Sequence, residues 1–254
     1  MTATLDLRDH GQGLWELVLA RAPVNALSPE FLNSFAAMLA DLARRDDVRA
    51  VVLSSEFKVF SAGLDLKQAQ DFDLDQQRAI VAALNDGFLA QFTFPKPLVA
   101  AVNGAAIAGG LFFVLAADLR VAGPRARFGL AEVQVGADFP VGPMEIARAT
   151  LDPATLRRLM LTGRPIDAAA AQAAGIVDHL VSEADLQQRA LAEARALAEL
   201  PAIAYGAIKA QIRAPAVETI RAAIAAGANA PRDGWFNAET RAAMQRMIAP
   251  RGAG

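Results

Sequence analysis

Residues 98–117 form the most restrictive stretch of the sequence, because Asn103 is the only polar side chain in twenty positions. That length meets the rule of about 20 apolar residues for a membrane-spanning helix. Much of the run is alanine and glycine, however, and Pro97 precedes it. The Asn103-Gly104 pair is a turn signal that divides the run into two pieces too short to span a bilayer. We therefore predict a buried strand, a turn and a buried helix.

The composition predicts a globular protein whose partners are small molecules or copies of itself. Its 254 residues are 54% hydrophobic and 20% charged, with a formal charge of −2, which is untypical of disorder or nucleic-acid binding. The lack of cysteine excludes disulfides, thiolate zinc sites and thiol nucleophiles, and two histidines leave little for a metal site. The N-terminal sequence lacks a basic region followed by an apolar core, so we expect no signal peptide and a cytoplasmic protein.

Strand and helix patterns alternate up to about residue 140, and helical patterns follow. Two short strands joined at residues 9–13 predict a hairpin. Ser28 is expected to cap a helix that has Pro29 at its first position. The segments "VRAVVLSSE" and "KPLVAAVNG" predict two strands, each followed by a glycine-bearing segment and a helix. This order indicates an α/β core with a C-terminal helical region.

Two glycine-containing turns follow those two strands, "FSAGLDLK" at 60–67 and "IAGGLFF" at 107–113. Neither is a phosphate loop, because Gly110-Leu111 replaces the Lys-Ser/Thr pair of a Walker motif and no GxGxxG occurs. The turns offer backbone N–H groups instead, which the start of a helix leaves unpaired. Two converging turns would place two donors around one oxygen, and each donor of an oxyanion hole is typically worth about 3 to 4 kcal/mol.

Five segments in order carry a wider pattern across nearly the whole chain. They are "ARAPVNALSPEF" (20–31), "KVFSAGLDLKQ" (58–68), "KPLVAAVNGAAIAGGLFFVLAADLRVAG" (96–123), "FGLAEVQVG" (128–136) and "LMLTGRPIDAAAAQAAGIVDHLV" (159–181). Together they resemble the crotonase, or enoyl-CoA hydratase/isomerase, superfamily. The resemblance implies an α/β spiral of ββα units over residues 1–195 and a C-terminal helical oligomerisation region over residues 196–254. It also implies an acyl-CoA thioester substrate, no separate cofactor, and a homotrimer or a dimer of trimers.

The resemblance also assigns the residues of a site. It implies an oxyanion hole made by the backbone N–H groups of Ala62 and Gly109. The implied substrate-binding residues are Ala62, Gly63, Leu64, Asp65, Leu66, Gly109 and Phe112. Asp65 could instead cap a helix. Lys58 and Lys67 flank this loop, where they could meet the phosphates of CoA or simply be solvated.

The acidic residues decide which reaction is plausible. Hydratases of this family resemble one another in having two glutamates, one three residues after the oxyanion glycine and one in an "FGxxE" segment. Here the second is Glu132, whereas the first position is Phe112, which can neither accept nor donate a proton. The segments "FSAGLDL" and "FGLAEVQVG" are similar to those of 3-enoyl-CoA isomerases, which need one carboxylate. We therefore predict an isomerase in which Glu132 transfers the proton, with a pKa raised by apolar neighbours.

Several alternatives stay open at this point. Asp138 is a reserve candidate for a second acid, since some relatives use an aspartate in this loop, but it could be purely structural. Another crotonase-type reaction, such as hydration, hydrolysis or C–C cleavage, is the first alternative function. A non-catalytic acyl-CoA binder is the second. An apolar stripe near the C-terminus indicates either core or a subunit interface. Its residues are Trp235, Phe236, Met244, Met247 and Ile248.

Overall fold

The computed structural model describes residues 4–249, which form nine β-strands and ten α-helices. The strands are β1 Leu5–Asp9, β2 Leu14–Leu19, β3 Ala50–Ser55, β4 Leu98–Val102, β5 Ala105–Ile107, β6 Leu119–Ala122, β7 Arg127–Gly129, β8 Ile166–Asp167 and β9 His179–Leu180. The helices are α1 Pro29–Arg44, α2 Leu66–Ala69, α3 Leu74–Phe92, α4 Phe112–Leu115, α5 Val141–Thr150, α6 Pro153–Thr162, α7 Ala168–Ala173, α8 Leu186–Ala198, α9 Ala202–Ala225 and α10 Thr240–Ile248. Two short 3-10 helices span Ala108–Leu111 and Glu132–Val135.

A six-stranded sheet in the order β1-β2-β3-β4-β6-β9 forms the centre of the fold. β1 and β2 are the predicted antiparallel hairpin, and the other neighbours in this sheet pair in parallel. A second, smaller sheet has three strands in the order β5-β7-β8. Parallel strands are covered on both faces, which explains their nearly continuous apolar sequences. Val51 and Leu53 belong to the main core with α1 and α3, whereas Val52 and Val99 pack in a second cluster with α8.

Helix α1 begins where the sequence predicted. The Ser28 hydroxyl accepts a hydrogen bond from the N–H of Phe31 at 3.3 Å, and Pro29 is the first helical residue. This arrangement satisfies one of the unpaired N–H groups of the first turn. The helix buries Phe31, Leu32, Phe35, Leu39 and Leu42 on a single face. The predicted cap and apolar face of this helix are confirmed.

The apolar run of residues 98–117 forms strand β4, a turn at Asn103-Gly104, and a short helical segment that includes α4. The sequence did not predict strand β5 between the turn and the helix. A Cβ atom at Gly104 would collide with the carbonyl oxygen of Lys58, so the close approach of these two segments requires glycine. Within residues 4–249 no helix is long and apolar enough to cross a membrane. A cytoplasmic location stays a prediction.

The C-terminal region folds back onto its own chain. After α9, the backbone crosses α3, where Arg78 donates to the carbonyl oxygens of Pro231 at 3.2 Å and Arg232 at 3.1 Å. The buried Gln77 side chain then accepts from the N–H groups of Trp235 and Phe236 at 2.9 and 3.0 Å. These bonds bring α10 against α2 and the 3-10 helix Glu132–Val135.

Candidate active site

The two predicted glycine turns lie in direct contact. Gly63 has φ +78°, and a Cβ atom at this residue would approach the carbonyl oxygen of Ile107 to 2.8 Å and the amide nitrogen of Gly109 to 3.2 Å. At Gly110, a Cβ atom would collide with the carbonyl oxygen of Ser61. Between the glycines, Ala108 adopts φ +50°, a conformation that costs energy for a residue with a side chain. The contact therefore depends on glycine at both turns.

The free backbone donors differ from the predicted pair at one position. The N–H of Ala62 donates to the carbonyl oxygen of Val24 at 3.0 Å, so this predicted oxyanion donor is already occupied. Leu27 pairs with the residues on either side of Leu64, accepting from Asp65 and donating to Gly63. The N–H of Leu64 therefore points away from Leu27, since successive N–H groups of an extended segment alternate in direction.

Leu64 and Gly109 are consequently the two residues with unpaired N–H groups at this contact. Among residues 4–249, the Leu64 N–H has no backbone acceptor. The Gly109 N–H belongs to the first turn of a 3-10 helix, where helical geometry supplies no acceptor. Both residues line one cavity. The geometry thus leaves the N–H of Gly109 unpaired, as the predicted role requires, whereas the N–H of Ala62 is paired with Val24 and that of Leu64 is unpaired.

The cavity has a volume of about 90 Å³ and an almost wholly apolar lining. Five of the predicted substrate-binding residues line it: Ala62, Leu64, Leu66, Gly109 and Phe112. Gly63 and Asp65 do not. Asp65 instead caps α2 by accepting from the N–H of Gln68 at 3.4 Å, and its other oxygen lies 3.4 Å from Arg21. Lys58 and Lys67 are exposed.

Glu132 is the carboxylate of this cavity. It is 7% exposed, and its Oε2 atom is buried without a hydrogen-bond partner among the described residues. Burial raises the pKa of Glu132 to about 8, since an apolar surrounding disfavours the charged form. A buried, unpaired polar atom costs stability, which makes such groups candidates for a functional role. The predicted rise in pKa is confirmed.

Phe112 also lines this cavity and is 1% exposed. Asp138 does not line it. Its carboxylate is exposed and accepts from the indole N–H of Trp235 at 3.0 Å, a structural contact. Asp138 is therefore not placed as a second acid. Among the described residues that line the cavity, Glu132 is the only one with an acidic side chain.

The sequence interpretation missed the contribution of the C-terminal segment to this site. Trp235, Met244 and Met247 line the cavity. Thr240, the first residue of α10, donates from its hydroxyl to the carbonyl oxygen of Gly136 at 2.7 Å, just after the helix that carries Glu132. The apolar stripe had indicated core or interface, and its spacing alone did not show which surface it covers. Among residues 4–249, no group of three or more His, Asp or Glu side chains could hold a metal ion.

Comparisons with known proteins point to one family. The family model described as "Enoyl-CoA hydratase/isomerase" matches residues 9–247. A "Probable enoyl-CoA hydratase EchA17" from Mycobacterium tuberculosis is 36% identical over 202 residues, covering 79% of this chain and 77% of the relative. The crystal structure of human mitochondrial delta3-delta2-enoyl-CoA isomerase superposes with a TM-score of 0.88 at 27% identity, covering 97% of each chain. That of the probable enoyl-CoA hydratase EchA3 from M. tuberculosis has a TM-score of 0.82 at 29% identity, covering 88% of this chain and 95% of the other.

Proposed function

This chain belongs to the enoyl-CoA hydratase/isomerase family of enzymes and has the crotonase fold, and we propose that it moves a double bond from the 3- to the 2-position of an enoyl-CoA thioester. One observation carries the choice of reaction. Glu132 is the single acidic side chain among the described residues of the cavity, and Phe112, at the sequence position where hydratases of this family resemble one another in carrying a second glutamate, lines the same cavity. Isomerisation needs one proton-transferring group, whereas two-carboxylate hydration also needs a group that activates water.

The mechanism begins with the thioester carbonyl oxygen between the N–H groups of Leu64 and Gly109. Glu132 in its ionised form removes a proton from C2, and the electron pair delocalises into the carbonyl to form a dienolate. The two donors stabilise the negative oxygen, each by about 3 to 4 kcal/mol relative to its absence. The same carboxyl group then returns the proton to C4, which leaves the double bond between C2 and C3. The proton removed from C2 is the one returned to C4, so the reaction needs neither water nor a separate cofactor. CoA is part of the substrate.

The pKa of Glu132 suits this exchange. A group that accepts and returns one proton works best when its pKa lies near the operating pH. A pKa of about 8 lies closer to the high pKa of the C2 proton than the pKa of an exposed glutamate does. An apolar lining also keeps water away from the dienolate, so the proton returns from Glu132, and it keeps water from adding to C3 of the conjugated product.

The direct test compares two reactions of the purified protein. With 3-hexenoyl-CoA we expect the absorbance of the conjugated thioester to rise, and with 2-hexenoyl-CoA we expect it to persist. Isomerisation should exceed hydration by about a hundredfold or more, the usual contribution of one positioned acid-base group. Faster hydration than isomerisation would contradict the proposal, and tight acyl-CoA binding without turnover of either compound would favour a non-catalytic binder.

We also propose that copies of this chain associate through the outer face of α9. Ile208 and Ile212, one turn apart on this helix, are 55% and 73% exposed, and Leu200 just before it is 46% exposed. The three side chains line one surface groove, and exposed apolar side chains that adjoin in this way mark an interaction surface. Burial against a second copy would remove these side chains from water. A homotrimer or a dimer of trimers is the assembly that we expect.

Replacing Ile208 and Ile212 together by Asp should dissociate this assembly, because two charges would be buried unpaired at the contact. Sedimentation velocity should show an oligomer for the wild type and a monomer for the double variant. Leu74 is 40% exposed and lies on α3, so Leu74→Asp serves as a matched control that stays oligomeric. A monomeric wild type, or an oligomeric double variant, would contradict this interface.

A further inference from the structure

Resting on the proposed function, we propose that Phe112 limits the length of the acyl chain, so that the enzyme selects short enoyl thioesters with acyl groups of about four to six carbons. The ring lines the cavity that holds Glu132, and it is almost fully buried. The position that lacks a second acid would thus have a positive role, as the side chain that stops the acyl group.

The exposure of the lining residues gives the cavity a direction. Leu64 and Trp235 are partly exposed, and Met247 is 45% exposed, which places the mouth among these side chains. Leu27, Phe112 and Met244 are at most 1% exposed and form the inner wall, in which Phe112 is the only aromatic ring. The acyl chain therefore enters past Leu64, whose N–H holds the thioester oxygen, and extends toward Phe112.

The distance available to the chain is short. Gly109 and Phe112 are separated by one turn of the 3-10 helix Ala108–Leu111, which continues directly into α4. One such turn rises about 6 Å. With the thioester oxygen at the Gly109 N–H, only a few carbon atoms fit before the chain meets the Phe112 ring.

The volume leads to the same limit. The cavity holds about 90 Å³. An apolar cavity that accepts benzene, with its six carbons, has about 150 Å³, so this one accommodates about four carbon atoms of the acyl group, the reacting carbons included. A longer chain would have to displace the ring of Phe112.

The packing behind Phe112 prevents that displacement. Its ring centroid lies 5.5 Å from that of Phe88 on α3 and 6.2 Å from that of Phe139. Phe88 is itself fully buried. Close-packed interiors do not yield to one extra methylene without cost, so the stop is rigid.

Phe113 provides a matched control in the same helix. It is buried like Phe112, but its ring packs against Phe35 at 4.9 Å and Phe88 at 5.1 Å, and it does not line the cavity. Phe113→Leu should therefore lose a comparable amount of packing energy without lengthening the acyl pocket.

The experiment measures kcat/KM of wild type, Phe112→Leu and Phe113→Leu with 3-butenoyl-, 3-hexenoyl-, 3-octenoyl- and 3-decenoyl-CoA. The wild type should prefer the two shorter substrates. Phe112→Leu should raise the ratio of 3-decenoyl- to 3-hexenoyl-CoA turnover by about tenfold to a hundredfold, the range for added methylenes in an apolar pocket. Phe113→Leu should leave that ratio unchanged. If Phe112→Leu does not fold, Phe139→Leu, which enlarges the cavity beside the Phe112 ring, should shift the ratio in the same direction.

The outcomes separate this inference from the proposed function. Equal turnover of 3-hexenoyl- and 3-decenoyl-CoA by the wild type, or an equal shift in both leucine variants, overturns the length limit and leaves isomerisation intact. If no 3-enoyl-CoA is isomerised, the proposed function fails. The limit can then be tested without turnover by measuring the affinities of the wild type for butyryl-CoA and decanoyl-CoA by calorimetry. Tighter or equal binding of decanoyl-CoA would overturn the length limit.

Discussion

Glu132→Gln is expected to lower kcat for 3-hexenoyl-CoA by about 10²- to 10⁴-fold, the usual contribution of a positioned acid-base group. Glutamine keeps the shape of the side chain but cannot take a proton from C2. No other acidic side chain among the described residues lines the cavity, so nothing there replaces the carboxylate. Calorimetry should find acyl-CoA binding nearly unchanged, because the backbone donors at Leu64 and Gly109 are untouched. Initial rates measure the loss.

The pH dependence gives this prediction a second readout. The wild-type kcat/KM should rise with pH until Glu132 is ionised, with an apparent pKa of about 8, and the residual rate of Glu132→Gln should lack this limb. Asp138→Asn is the control, since asparagine retains an oxygen that can accept from Trp235, and its activity should match the wild type. Full activity in Glu132→Gln would remove this residue from the mechanism.

Stability should change in the opposite direction over the same pH range. The folded protein keeps the Glu132 proton up to about pH 8, whereas the unfolded chain releases it near the ordinary pKa of 4.5. Between these values the folded state binds more protons, so the free energy of unfolding falls as pH rises, by up to about 5 kcal/mol. Chemical denaturation at several pH values should show this slope in the wild type and its loss in Glu132→Gln.

Local sequence signals were sufficient to predict much of the fold. Ser28 and Pro29 fix the start of α1 because capping is decided by a few neighbouring residues. The hairpin of β1 and β2 and the strand-turn-helix pattern of residues 98–117 follow from apolar runs and turn residues in the same way. The resemblance to the family supplied the position of Glu132, and burial in the folded chain supplies its pKa.

The donor pair could not be derived from the motif alone. Ala62 and Leu64 lie two residues apart in one loop, and their N–H groups differ only in where the neighbouring backbone lies. The carbonyl oxygen of Val24 accepts from the N–H of Ala62, and Leu27 is hydrogen-bonded to the residues on either side of Leu64. Those partners come from a segment about 40 positions earlier, and such long-range pairing is a property of the tertiary fold. The closure of the cavity by Trp235 depends on Gln77 in the same way.

Asp118→Ala should lower the free energy of unfolding by about 3 to 5 kcal/mol, the cost of removing one partner from a buried ion pair. The Asp118 carboxylate lies 2.7 Å from Nζ of Lys209 and 2.8 Å from Nη2 of Arg213, and it accepts from the N–H of Leu98 at 2.8 Å. Lys209 and Arg213 are 8% and 9% exposed. Without Asp118, two cations remain buried, and only Lys209 can lose its charge, since Arg stays protonated.

Asp41→Ala is the matched control for this loss, because it also removes a carboxylate from an arginine. Its pair with Arg44 is at the surface, with side chains 54% and 70% exposed, so we expect a change within about 1 kcal/mol. A loss for Asp118→Ala no larger than that of the control would show that the buried pair contributes little.

The position of Asp118 explains why a large loss would matter to catalysis. It follows α4, the helix that begins at Phe112, and Arg213 also donates to the carbonyl oxygen of Ala117 at 3.2 Å, so α9 anchors the helix that carries the acyl stop.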